Sequence, residues 1–138
     1  MEKVLSVREL KERAIKEFKE RFKLEKLQAV KTIQDGEECY GRIDYFSYDE
    51  NKDEPFAYVQ YEFEYGFREL GIKHRFYAED FEKKKIEKVN EKELGRCIHY
   101  YEFERYTGDT RKALTLGGVV EEETKLYRCR FCGDTKIY

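Results

Sequence analysis

The sequence predicts an α+β fold: an N-terminal helix in one or two segments, packed on a mainly antiparallel sheet, with a cysteine-bearing hairpin at the C-terminus. Three observations predict it. Apolar residues recur at helical spacing as far as Ile33, the period changes to two from Glu37 onward, and Cys129 and Cys132 stand two residues apart with Gly133 directly after. At 138 residues the length fits a single domain, helical over 1–36 and mainly β over 37–138. Charged residues make up 42% of the chain, yet twelve Tyr and ten Phe supply enough burial to exclude a disordered polyampholyte.

The first element is justified by its start signal. Ser6-Val7-Arg8-Glu9 reads as a capping box, and Leu5 and Leu10 flank it as a hydrophobic staple. Val7, Leu10, Ala14, Phe18 and Phe22 then form one apolar stripe. A second stripe, Leu24, Leu27, Val30 and Ile33, is expected to continue the helix or restart it after a kink, with Asp35-Gly36 as the stop.

From Glu37 the alternation sets Cys39, Gly41, Ile43 and Tyr45 on one strand face and Tyr40, Arg42, Asp44 and Phe46 on the other. The polar run 49–55 reads as a hairpin loop. Ala57, Val59, Tyr61, Phe63 and Tyr65 make the next apolar face, ended by Gly66, and Gly71 opens a strand with Ile72, His74 and Phe76. Residues 79–94 suggest a short helix ending near Gly95. After it, Cys97, His99, Tyr101 and Phe103 are expected on one face of a strand. Thr107-Gly108-Asp109 is expected as a turn, Ala113 to Leu116 as a short strand bent by Gly117-Gly118, and Thr135 to Tyr138 as a last strand.

Net charge is −2 but uneven: +4 over 1–34, −8 over 35–66 and +2 over the remainder. An acidic belt between weakly basic flanks argues against a duplex-wrapping protein. Met1-Glu2-Lys3-Val4-Leu5 leads straight into a charged helix, so no signal peptide is expected, and no apolar run reaches membrane-spanning length. The expectation is a soluble, intracellular, cytoplasmic protein.

The chemistry concentrates at the C-terminal cysteines. In a metal knuckle the chain turns back after the first thiolate, so that backbone N–H groups point at sulfur, and glycine after the second cysteine permits the left-handed backbone required. A tetrahedral structural zinc needs four N or S ligands. Cys97, His99, Cys129 and Cys132 are the first candidate set, with Cys39 as the alternative fourth ligand in place of His99. With all four positions filled by protein, such a zinc is structural. The competing readings are a Cys39–Cys97 disulfide or free thiols, and a redox Cys-x-x-Cys. His74, alone on an apolar face, reads as a satisfied core histidine.

The Cys-x-x-Cys-Gly run resembles one half of zinc ribbons and rubredoxin-like sites. The order Cys97-x-His99 … Tyr127-x-Cys129-x-x-Cys132-Gly133 also resembles, loosely, the zinc motif of bacterial-type primases. It departs from that motif in lacking Cys-Pro-x-His and in separating His99 from Cys129 by 29 residues. The abundance of Lys and Glu with few Gln, Asn and Met resembles in style the small proteins of hyperthermophilic archaea and their viruses, for which the compartment would be the host cytoplasm.

Zinc ribbons often serve nucleic acid, and Arg128, Arg130 and Lys136 surround the knuckle with Phe131 and Tyr138 close by, a mixture suited to single strands. The reading is therefore a zinc-stabilised, non-catalytic binding module contacting nucleic acid through Arg128, Arg130, Phe131 and Lys136. Alternatives are a protein-interaction or structural subunit acting through a Tyr-rich surface, and a Mg²⁺-dependent nuclease using Asp44, Glu62 and Glu64. Against the nuclease, no lysine follows the second carboxylate.

Overall fold

The structure, a computed structural model, describes residues 5–62 and 72–137. The fold is α+β, with an N-terminal helix and mainly antiparallel sheets. Two compact units make it up, Met1–Ile98 and His99–Tyr138.

The N-terminal unit opens with α1 (Val7–Phe22). Ser6 caps it, its side-chain oxygen accepting the Glu9 N–H at 3.2 Å while its hydroxyl donates to the Glu9 carboxylate. The first turns of the stripe face solvent: Val7 is 68% exposed, and burial begins at Phe18. The helix ends without glycine. Lys23 takes the left-handed conformation (φ 53), and the Leu24 N–H reaches back to the Lys19 carbonyl at 2.8 Å, burying Leu24.

The second stripe is therefore not helical, and the expected continuation to Ile33 is corrected. Its residues run into β1 (Ala29–Gln34), where Val30 is buried and Ile33 exposed. Asp35-Gly36, with φ 49 and 80, is a two-residue hairpin turn that sets Gln34 opposite Glu37 at the start of β2 (Glu37–Asp49). Positive φ at both central residues is the type I′ signature, and Asp-Gly is among the dipeptides that favour it.

The loop after β2 leads into β3 (Glu54–Tyr61) as expected, and β3 pairs with the short β4 (Arg75–Phe76). With β5 (Ile86–Lys88) these strands form an antiparallel sheet in the order β4-β3-β2-β1-β5. The expected strand positions Phe63 and Tyr65, together with Gly66 and Gly71, lie outside the described residues. The anticipated helix over 79–94 is broken into α2 (Ala78–Glu82), β5 and α3 (Glu91–Leu94), with Gly95 (φ 78) closing α3 as foreseen. Hydrogen bonding of Ile86 and its neighbours to the β1 edge outweighs the helix propensity of the Lys/Glu run between Phe81 and Val89.

A bulge between Ile43 and Tyr45 divides β2. Before it Ile43 points into the core. Beyond it Phe46 packs on that core, while Tyr45 turns outward and stacks on Tyr58 with ring centroids 4.8 Å apart. Tyr45 and Phe46 thus have the faces opposite to those expected from unbroken alternation. The core gathers Phe18, Leu24, Val30, Ile43, Ala57, Val59, Phe76 and Ile86. Burying an apolar side chain of this size contributes about 1.5–3 kcal/mol. At Gly41 a Cβ would lie 2.4 Å from the Gln60 carbonyl oxygen, so the close approach of β2 and β3 there admits no side chain.

Arg42 is buried on the other side of β2 with a full set of acceptors: the carbonyls of Leu27 (3.0 Å) and Ile98 (2.8 Å) and the carboxylate of Glu91 (2.7 Å). Glu91 also accepts the Ile98 N–H at 2.9 Å.

The C-terminal unit is a three-stranded antiparallel sheet, β6 (Tyr101–Thr115), β7 (Gly118–Cys129) and β8 (Thr135–Ile137), in that order. Two expectations are corrected here. Thr107-Gly108-Asp109 is not a turn but an irregularity within β6, three residues lying opposite Thr124 alone, with Gly108 at φ 86. The reversal falls instead at Leu116-Gly117, with Thr115 opposite Gly118. Cross-strand charge pairs, Lys112 opposite Glu121 and Arg111 opposite Glu122, stabilise that register.

Candidate metal centre

The knuckle is built by backbone hydrogen bonds that follow from its spacing. The chain leaves β7 at Cys129 and reverses, the Gly133 N–H donating to the Cys129 carbonyl at 3.0 Å. The Cys129 N–H donates to the Asp134 carbonyl at 2.7 Å. Gly133 has φ 79, the conformation anticipated for a glycine after the second cysteine.

Cys97 and His99 arrive on the stretch that leads into β6. This corrects the expected strand, since β6 starts only at Tyr101 and residues 97–100 carry no ladder of their own. Tyr100 is pinned to the knuckle instead: its carbonyl accepts the Arg130 N–H at 3.0 Å and its N–H donates to Cys129 Sγ at 3.4 Å. His99 Nδ1 then lies 3.3 Å from Cys132 Sγ. One ligand atom from each of Cys97, His99, Cys129 and Cys132 lies within 4.8 Å of the other three. Tetrahedral coordination at the usual Zn–S and Zn–N lengths sets ligand atoms roughly 3.5–4 Å apart. Three thiols and one imidazole, gathered at that scale, match the donor set of a structural zinc.

Electrostatics favour thiolate at the centre. Burial pushes the Cys129 thiol up, but N–H donation from Cys132, Tyr100 and Phe131, with the His99 side chain, outweighs it and holds the group at about 6. Cys129 is 1% exposed. Tyr101, missed in the sequence reading, braces the turn by donating its hydroxyl to Asp134 at 2.6 Å. Burial and that carboxylate raise its own ionisation well above the usual tyrosine range. The only sequence signal for this brace is an aspartate directly after Gly133, which fixes no partner.

The other candidates fall elsewhere. Cys39 sits on β2 opposite Thr32 and packs against the core, outside the group of four. None of the four cysteines is disulfide-bonded, so the Cys39–Cys97 bridge is not formed in this structure. His74 is held as a core histidine, its Nδ1 2.8 Å from the Val59 carbonyl and its ring stacked on Tyr58.

Arg128 is engaged by Glu104 (2.9 and 3.4 Å) and the Gly133 carbonyl, Arg130 lies 3.8 Å from Glu102, and Lys136 sits over the Tyr101 ring. Phe131 is 47% exposed. Glu62 is buried and clamped by the Arg96 guanidinium at 2.6 and 2.9 Å. Neither it nor Asp44 belongs to a metal-competent group among the described residues, and Glu64 lies outside them. No described helix is long and apolar enough to cross a membrane. Comparison with protein-family models, with curated proteins and with solved structures finds no match.

Proposed function

We propose that the protein is a non-catalytic binding module whose C-terminal unit is closed by one structural zinc on Cys97, His99, Cys129 and Cys132. The convergence of these four ligand atoms carries the reading. With four protein ligands no position is left for a reactive water, so the metal's task is to fix the base of the long β6–β7 hairpin. A thiolate-rich site suits a reducing, intracellular compartment.

The business end is then the hairpin, whose exposed Leu114, Leu116, Val119 and Val120 favour contact with protein. Contact with single-stranded nucleic acid is the second reading. Exposed Phe131 beside Arg130 favours it, and the pairing of Arg128 and Arg130 with Glu104 and Glu102 weakens it by occupying the cations a phosphate would need. Salt-sensitive binding of a labelled oligothymidylate, lost in Arg130→Ala, would bring that reading forward.

Elemental analysis of protein purified without chelator tests the metal site. One zinc per chain is expected, lost in Cys129→Ser and His99→Ala and kept in Cys39→Ser. Zinc that survives His99→Ala but disappears in Cys39→Ser would overturn the ligand set, and protein with no bound metal would overturn the reading.

A further inference from the structure

The β6–β7 hairpin is wider in its exposure than a metal-closed fold requires. Among the described residues β8 covers β7 only at Leu126–Arg128, so the ribbon from Thr110 to Glu123 is two strands wide, with no third strand on either edge. A two-stranded ribbon is marginal in water, and long open edges pair with other strands unless something blocks them. The irregularity at 107–109 blunts the proximal part of β6. The distal part, Thr110–Thr115, pairs regularly with β7 and carries no such block.

The two distal edges carry opposite charge. Arg111 and Lys112 lie on β6, while Glu121, Glu122 and Glu123 lie on β7. Pairing β7 with β7 of another copy would set glutamates against glutamates. Pairing distal β6 with β6 would bring two Arg-Lys pairs together. Pairing β7 of one copy with β6 of the next, antiparallel and with tips level, opposes acid to base. It also repeats the register already used within the hairpin, Lys112 with Glu121 and Arg111 with Glu122. The same alignment brings Leu114 beside Val119 and Ala113 beside Val120 of the neighbour. Leu114 is 85% exposed and Val119 65% exposed in the single chain, and Leu116 at the turn is fully exposed.

We infer that this hairpin is a self-association surface on which copies of the chain join side by side, β7 of one to β6 of the next. Such a contact is heterologous, and it builds a ring or an open filament rather than a two-fold dimer. The inference deepens the binding-module reading by naming the partner as further copies of this chain. Zinc content measured on the same samples separates a failure of that reading from a failure of this one.

Light scattering coupled to size exclusion, run on zinc-replete full-length protein at low and high salt, tests the arrangement. Species larger than a dimer are expected at low salt, moving toward monomer as salt screens the edge charges. Leu114→Ser/Leu116→Ser alters only exposed positions, so it should stay folded with full zinc and run as monomer. Arg111→Glu/Lys112→Glu/Glu121→Lys/Glu122→Lys, which keeps opposite charges across the hairpin while reversing both edges, should still assemble with itself but not co-assemble with wild type. A wild-type protein that stays monomeric at low salt, a dimer that grows no further, or an assembly unchanged by Leu114→Ser/Leu116→Ser would each overturn the proposal.

Discussion

Removal of zinc by a chelator is expected to unfold the C-terminal unit, His99–Tyr138, while the N-terminal unit keeps its fold. The C-terminal unit is about the size below which a domain needs a metal, a disulfide or a partner to stay folded. Its described residues bury only Leu126 and Cys129 among apolar side chains, so burial contributes little. Binding free energies of structural zinc in small modules are of the order of 10–16 kcal/mol, and they appear directly as folding free energy. Cys129→Ser should have the same effect as chelation, since it removes the most buried ligand and the acceptor of the Tyr100 N–H. Amide resonances of residues 99–137 should collapse to random-coil positions on metal removal and return with zinc, while those of the first unit persist. Full dispersion throughout after complete metal loss would show that the hairpin folds without the ion.

Glu91→Ala should produce the second large loss, about 3 kcal/mol in urea denaturation of the N-terminal unit. The substitution leaves the Arg42 guanidinium buried without its carboxylate and strips the Ile98 N–H of its acceptor. Breaking a buried pair by deleting one partner costs about 3–5 kcal/mol. Glu91 keeps a third of its side chain in water, which places the cost at the lower end.

The same pair predicts a pH dependence. Burial raises the Glu91 carboxyl, but the Ile98 N–H and Arg42 outweigh it and hold the group below the usual glutamate range. A carboxylate depressed in the folded state stabilises above the unfolded value, and that stability is lost as pH falls through the folded value. Glu91→Gln should therefore flatten the acid limb of the stability profile and leave the neutral-to-alkaline limb parallel to wild type. Unchanged acid sensitivity in Glu91→Gln would assign that limb to other carboxylates.

What could be read in the sequence divides along physical lines. β2 and β3 were legible because period two leaves an unbroken trace in Cys39–Ile43 and Ala57–Tyr61. The knuckle was legible because its geometry depends on two cysteines and a glycine within five residues. The four-ligand set followed because few Cys and His exist to complete it. The Leu24–Ile33 stretch was misread because apolar residues three apart fit a helix stripe as well as a strand entered through irregular backbone. Its two deciding signals, a left-handed Lys23 and a type I′ Asp35-Gly36, are conformations of residues that also have commoner uses. The reversal at Leu116-Gly117 was missed because Gly108 and Gly117-Gly118 both punctuate the hairpin, and only cross-strand charge pairing chooses between them. Tyr100 positions the ligands through its backbone, which leaves no mark in a side-chain pattern.

The bulge at Asp44 gives β2 two phases. Residues before it alternate in one frame and residues after it in the other, and both frames deliver apolar side chains to a single core. The phase of the strand thus hangs on that one extra residue: regular pairing at the present length would turn Tyr45 inward and Phe46 outward, whereas the nearby 50–53 loop could change length without disturbing either frame. Over evolutionary time, insertions and deletions should accumulate in that loop, and within the strand a residue should be lost only at the bulge itself.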